Sequence, residues 1–164
     1  MNIGLFFGCF NPIHTGHLII ANHIKQSVEL SQVWFVVSPQ NPLKPSSGLL
    51  NEYQRLHLVR LAIDDEPGLK TSDIEFKLPR PSYTIDTLTY LTEKYPEHSF
   101  TVIMGSDSLE NLHRWKNYSQ ILQYYNLCVY LRPGHPLQEE YQQPNIHALK
   151  APLLEISATH IRKM

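Results

Sequence analysis

Residues 8–17 read GCFNPIHTGH and follow the apolar opening MNIGLFF. A short apolar run that stops at Gly8 suits a buried strand over Ile3 to Phe7, and glycine there lets the chain turn close to a ligand. After Pro12, residues 15–28 (TGHLIIANHIKQSV) place Leu18, Ile19, Ala21 and Ile24 at helical spacing. A helix starting near Thr15 sets His14 and His17 around its first turn, three residues apart and on one face. That turn also offers unpaired backbone N–H groups and the positive end of the helix dipole, both favourable for phosphate. Gly16 leaves room where the helix begins. The stretch therefore predicts a strand–turn–helix unit whose ligand is a phosphate chain.

Two blander readings compete with that one. Histidines often cap or line a helix without touching a ligand, and on these residues alone that reading stays open. A metal site is disfavoured, because zinc takes three or four ligands and HTGH lacks the glutamate of H-E-x-x-H. No metal-binding residues are expected. The phosphate-loop patterns G-x-x-x-x-G-K-[ST] and G-x-G-x-x-G are also absent, which removes support for ordinary kinases and nicotinamide dehydrogenases.

Further along, QVWFVVSP (32–39) is rich in β-branched and aromatic residues and predicts a buried parallel strand. The Pro/Ser/Gly segment 39–50 reads as loop, and Asn51 as the N-cap of a helix over Glu52 to Asp64. Strand is expected near 69–76, and helix from Thr84 to Tyr95 with Ile85, Leu88 and Leu91 on one face. FTVIMG (100–105) predicts strand, and SDSLENLHRW starts a helix that YSQILQYY (118–125) continues. NLCVYLRPG (126–134) reads as strand into turn, LLEIS (153–157) as strand, and Ala158 to Met164 as the opening of a last helix.

Strands separated by helices imply a parallel sheet with right-handed crossovers. Ligands of such sheets collect at the carboxyl ends of the strands. The unusual residues fall there: 8–17, 105–107, 132–134 and 157–162. Their convergence argues for one site.

The 164 residues suit a single domain over 1–164. Hydrophobic residues at 42% and charged residues at 18% exclude a disordered chain. A formal net charge of -1 gives no basic excess for nucleic acid, so phosphate binding needs locally placed cations. No apolar run reaches the roughly 18 to 20 residues that span a bilayer. The N-terminus carries no basic n-region or cleavage site, and Cys9 and Cys128 form neither a disulfide framework nor a zinc pattern. A cytoplasmic protein without membrane or nucleic-acid partners is expected; a homo-oligomer stays open.

GCFNPIHTGH resembles the G-x-F-x-P-x-H-x-G-H motif of the nucleotidyltransferase superfamily that shares H-x-G-H, and ISATHIR (156–162) resembles its I-S-x-T-x-I-R segment. Between them SYTIDTL (82–88), GSDSLENLHRW (105–115) and LRPG (131–134) are similar to bacterial nicotinate-mononucleotide adenylyltransferases, so the resemblance covers nearly the whole chain. It implies a Rossmann-like, doubly wound three-layer α/β/α fold. It also implies transfer of the adenylyl group of ATP to nicotinate mononucleotide, giving deamido-NAD and pyrophosphate. An acceptor phosphate is already ionised near neutral pH, so catalysis rests on positioning and charge stabilisation, with no catalytic base.

By the same resemblance His14 and His17 contact the ATP phosphates, His17 at the reacting α-phosphate, and Arg162 adds charge. Gly8, Cys9 and Phe10 line the nucleotide cleft through their backbone, with Gly105 across from them. Ser157 and Thr159 donate to phosphates while capping the last helix, and Lys44 reaches over the cleft from its proline-bracketed loop. Trp115 stacks on the pyridine ring, although a helical tryptophan on its own is more often core. Thr84 and backbone N–H groups including that of Lys116 take the nicotinate carboxylate, Asp107 a ribose hydroxyl, and Arg132 the phosphate side. Mg2+ is implied with the ATP phosphates, without a dedicated protein cage.

Several positions depart from the family pattern. Leu43 stands where many relatives have a histidine before the lysine, Asn11 replaces the more usual Asp, and Cys9 the more usual Thr. Relatives continue through more helix beyond ISATHIR, so the C-terminal helical end is expected to be shortened at Met164. Rival readings are adenylyl transfer to nicotinamide mononucleotide or phosphopantetheine, a non-catalytic nucleotide-binding module, and a hydrolase using Ser106 in MGSDS. The last lacks the G-x-S-x-G elbow, having Ser108 at the final position.

Overall fold

The computed structural model describes residues 1–10, 13–39, 51–79 and 82–150. The predicted loop at 40–50, the strand at 153–157 and the helix after it lie outside these residues. The strands are β1 (Asn2–Gly8), β2 (Gln32–Val37), β3 (Leu69–Ser72), β4 (Ser99–Gly105), β5 (Asn126–Tyr130) and β6 (Ile146–Leu149). The helices are α1 (Thr15–Ser27), α2 (Glu52–Ile63), α3 (Thr84–Lys94), α4 (Ser106–Leu109) and α5 (Tyr118–Tyr124). All six strands pair in parallel in the order β3-β2-β1-β4-β5-β6. This is the doubly wound Rossmann-like order, with its switch point between β1 and β4.

A parallel sheet must be covered on both faces, and the period-2 alternation of its strands shows that it is. Ile3, Leu5, Val36, Val102, Met104, Leu127 and Val129 pack with Ile85, Leu88 and Leu91 of α3 and Ile121 of α5. Their neighbours Phe6, Phe35, Val37, Ile103 and Cys128 pack with Ala21 and Ile24 of α1 and with Leu56, Val59 and Ile63 of α2. Three layers result. The Asn51 cap is as expected: its side chain accepts the Tyr53 N–H at 2.8 Å. Among the described residues no helix is long and apolar enough to cross a membrane.

Three elements differ from the sequence expectations. The strand expected over 69–76 stops at Ser72, whose hydroxyl accepts the Ile74 N–H at 3.3 Å and starts a 3-10 turn over Ile74–Phe76. The helix expected from 106 onward breaks into α4, a 3-10 turn at Leu112–Arg114 and α5. Trp115 lies extended at the break, and Asn117 takes the left-handed conformation (φ 49°) that asparagine tolerates better than most residues. Finally, β6 was not anticipated, because an edge strand with one buried residue, Ile146, carries almost no hydrophobic pattern.

Candidate active site

At the switch point the ends of β1 and β4, the start of α3 and the Arg114–Lys116 segment enclose a cleft. Its cavity volume is about 170 Å3. Phe6, Gly8, Cys9, Ser38, Glu75, Thr84, Gly105, Trp115, Lys116 and Tyr130 are among its walls.

Along one wall, His14 caps α1. Its Nδ1 accepts the Gly16 N–H at 3.1 Å, and the His14 N–H donates to His17 Nδ1 at 3.1 Å, closing a reciprocal capping box. Because both Nδ1 atoms accept, each neutral ring carries its proton on Nε2. The rings stack with centroids 3.8 Å apart, and His17 also meets the edges of Phe10 (5.2 Å) and Phe6 (6.0 Å). The capping reading and the paired presentation are thus one arrangement.

The sharp turn is not made at Gly8, as the sequence suggests, but at Phe10, whose φ is 49°. A left-handed non-glycine residue costs roughly 1 kcal/mol, held here by burial of the ring at 4% exposure. Gly8 serves the packing instead: a Cβ there would lie 3.1 Å from the Phe10 ring. The ring of Phe10 is consequently a core group, packed against Phe6, His17 and Phe35.

Arg55 of α2 is 1% exposed and was not foreseen. Its Nη1 donates to the carbonyls of Cys9 and Ser38, each at 2.7 Å, and its Nη2 to that of Pro39 at 3.2 Å. Burial lowers its pKa, opposed by the nearby Cys9 and Glu52. The signal lay in α2 itself, where Arg55 shares an i, i+4, i+8 stripe with buried Val59 and Ile63. Glu75, 2% exposed, was missed as well. Its Oε1 accepts from Ser38 Oγ (2.8 Å) and Ser82 Oγ (3.0 Å), and its Oε2 from Thr87 Oγ1 (2.7 Å). Burial pushes its carboxyl above the ordinary range, against the pull of the three hydroxyls. Its only sequence signal is a carboxylate bracketed by Ile74 and Phe76.

Opposite, Thr84 opens α3 and Trp115 lies half-buried against the core. The Trp115 N–H donates to Leu112 O (2.9 Å), and its carbonyl accepts from Tyr118 N–H (3.2 Å), fixing the backbone on both sides of the ring. The Lys116 ammonium bridges to Asp86 at 3.1 Å and sits 5.0 Å from the Tyr83 ring centroid, tying this segment to α3. Both partners are about half exposed, so the pair orients more than it stabilises. A Cβ at Gly105 would come 2.6 Å from Asp107 Oδ1 and 3.0 Å from the Tyr130 ring, so a side chain there would displace Asp107 and crowd Tyr130.

Asp107 and Arg132 meet each other at 3.4 Å beyond the cleft lining. Ser106 is 1% exposed and its Oγ accepts the Arg132 N–H at 2.9 Å, joining the start of α4 to the chain after β5. Of the residues singled out by sequence, Gly8, Cys9, Thr84, Gly105, Trp115 and Lys116 therefore share the cleft wall. His17 meets the ring of Phe6, which lines the cleft, and stacks on His14, while Asp107 and Arg132 pair with each other outside the lining. Lys44, Ser157, Thr159 and Arg162 lie outside the described residues, as do Leu43 and Asn11. Among the described residues no group of three or more His, Cys, Asp or Glu could hold a metal ion.

A family model described as cytidylyltransferase-like matches residues 5–164. The chain is 53% identical over 164 residues to a probable nicotinate-nucleotide adenylyltransferase of Cytophaga hutchinsonii, covering 100% of this chain and 85% of that one. It is 54% identical over 165 residues to the protein of the same description from Flavobacterium psychrophilum, covering 99% and 86%. Among solved structures, the nicotinic acid mononucleotide adenylyltransferase of Plasmodium falciparum complexed with NaAD superposes with a TM-score of 0.83. That match is 19% identical in sequence and covers 99% of this chain and 82% of the other, a likeness of fold.

Proposed function

The chain belongs to the cytidylyltransferase-like family, and we propose that it transfers the adenylyl group of ATP to nicotinate mononucleotide. An oxygen of the acceptor 5′-phosphate forms a bond to the α-phosphorus of ATP. The bond from that phosphorus to the α,β-bridging oxygen breaks, and pyrophosphate leaves with the electron pair. Deamido-NAD is the product. The observation that carries this reading is the meeting of Gly8 and Cys9, Gly105, Thr84 and Trp115 in one cleft at the switch point.

The acceptor phosphate brings its own negative charge, so the protein has to orient two phosphates in line and absorb charge. His14 and His17 do so from the start of α1, each through Nε2, and His17 acts at the α-phosphate. The orientation of both rings by the capping box favours this role. Gly8, Cys9 and Gly105 admit the nucleotide, with Phe10 fixing the turn behind them. Lys44, Ser157, Thr159 and Arg162 complete the phosphate side by family position. Trp115 stacks on the pyridine ring, while Thr84 and the Lys116 N–H take the carboxylate. Asp107 binds a ribose hydroxyl, and Arg132 steadies it on the phosphate side. Magnesium enters on the ATP phosphates as part of the substrate, keeping most of its water shell. The unpaired thiols Cys9 and Cys128 favour a reducing, cytoplasmic setting.

Pyrophosphate release is the direct test. The protein is incubated with ATP and magnesium plus nicotinate mononucleotide, nicotinamide mononucleotide or phosphopantetheine in turn. Release with the nicotinate form alone is expected. Release with another acceptor alone would move the substrate, and silence with all three would leave a nucleotide-binding module.

A further inference from the structure

Two buried hydroxyls and a half-buried one on one buried carboxylate, with no cation among its partners in the described residues, is a costly arrangement where an apolar side chain would also pack. Its geometry follows the cleft. Ser82 precedes α3 and Thr87 lies in its first turn, so Glu75 grips the chain just before and just after Tyr83 and Thr84. Thr87 Oγ1 also lies 3.3 Å from the Tyr83 carbonyl, tightening the bracket. The third hydroxyl belongs to Ser38, at the end of β2. Ser38 is fully engaged: its N–H donates to Gly8 O at 2.9 Å, and its carbonyl accepts from the Arg55 Nη1 that also holds the Cys9 carbonyl. A continuous set of hydrogen bonds therefore runs from the start of α3, through Glu75, Ser38 and Arg55, to the turn after β1.

We propose that Glu75 is a positioning residue for the pyridine-nucleotide wall of the cleft, and that Ser38 aligns this wall with the nucleotide turn held by Arg55. The proposal rests on the adenylyl-transfer reading for its substrates. Glu75 touches neither reacting phosphate; it acts through the Ser82–Thr87 bracket that carries Thr84. Loss of one hydroxyl contact loosens that bracket while leaving the turn after β1 in place. Ser38 is the exception, since its hydroxyl links the two walls.

Steady-state pyrophosphate release, with each substrate varied in turn, separates these roles. Thr87→Val keeps the volume and removes the donor; Ser82→Ala removes another donor while retaining the carboxylate. Each is expected to raise the KM for nicotinate mononucleotide about tenfold, with the KM for ATP and kcat within about twofold. Thr87→Ser restores the hydroxyl and the wild-type KM, and Ser38→Ala raises both KM values. Equal changes in both KM values for Thr87→Val and Ser82→Ala, a loss confined to kcat, or no change would overturn the proposal. Should the wild type release no pyrophosphate, the substrate reading fails by itself. The bracket is then judged by hydrogen exchange: faster exchange at amides 82–87 in Thr87→Val but not in Thr87→Ser supports it, and equal exchange overturns it.

Discussion

On the β1 side of the cleft a buried cation holds main-chain oxygens; on the α3 side a buried anion holds side-chain hydroxyls. Arg55 grips the carbonyls of Cys9, Ser38 and Pro39, whereas Glu75 grips Ser38, Ser82 and Thr87. Carbonyls exist whatever residue is encoded, so the first wall asks little of the sequence beyond Arg55 itself. Hydroxyls must be specified one by one. The hydrogen bond that Arg55 makes to Cys9 uses the carbonyl, which any residue at that position would supply. Losing the hydroxyl of Ser82 or Thr87 removes a contact outright.

The harshest way to break the carbonyl-held wall is Arg55→Met, which leaves three acceptors without their buried donor. Each orphaned acceptor costs about 1–3 kcal/mol, so urea unfolding should show a loss of about 3 kcal/mol or more. A loss under about 1 kcal/mol would show that water replaces the guanidinium and that the wall does not depend on it. His17→Ala probes the same wall in function. Turnover is expected to fall roughly a hundredfold, as for removal of one charge-stabilising donor, with the circular dichroism spectrum unchanged. Near-normal turnover would reduce His17 to its capping role.

Across the cleft the effects are smaller. Trp115→Ala should raise the KM for the pyridine nucleotide about tenfold more than that for ATP, the scale of one aromatic stacking contact. Equal effects on both substrates would assign the indole to the core it half joins. The smallest effect is that of pH on stability. Burial holds the Glu75 carboxyl above its ordinary value of 4.5, so the folded chain binds that proton more tightly than the unfolded chain. Between the ordinary carboxylate range and the raised value, stability therefore falls as pH rises. Glu75→Gln does not titrate and should flatten that part of the thermal-unfolding profile. Parallel profiles for the two proteins would mean that the three hydroxyls offset the burial completely.

The fold was legible wherever both faces of a strand or one face of a helix had to be apolar. FTVIMG and QVWFVV could only be covered strands, and Ile85, Leu88 and Leu91 could only be a helix face. Elements governed by a single polar residue were not legible: the turn at Ser72, the helix break at Asn117 and the lightly buried edge strand Ile146–Leu149. The site divides the same way. Gly8, Cys9 and Gly105 sit at strand ends that periodicity locates, whereas Thr84, Trp115 and Lys116 were expected from the family resemblance. Arg55 and Glu75 lie outside the motifs and reach the cleft only through packing: Arg55 is signalled only by its stripe with Val59 and Ile63, and Glu75 only by its apolar neighbours Ile74 and Phe76. The turn at Phe10 was assigned to Gly8 because glycine is the usual occupant of left-handed backbone, and burial of the Phe10 ring overrode that preference.

The chain has two tryptophans, and the fold sends them to different places. Trp115 faces the cleft, its backbone pinned at both ends. Trp34 sits on β2 among Tyr95, His98 and Phe100, its Nε1–H donating to Gln32 Oε1 at 2.9 Å. The molecule thus contains two intrinsic emitters with separate duties. A ligand stacked on Trp115 is expected to change its emission, while Trp34, away from that cleft, is expected to report whether the sheet is still folded. A Trp34→Phe protein would leave a single-colour titration of cleft occupancy, and a Trp115→Phe protein an unfolding signal blind to ligand.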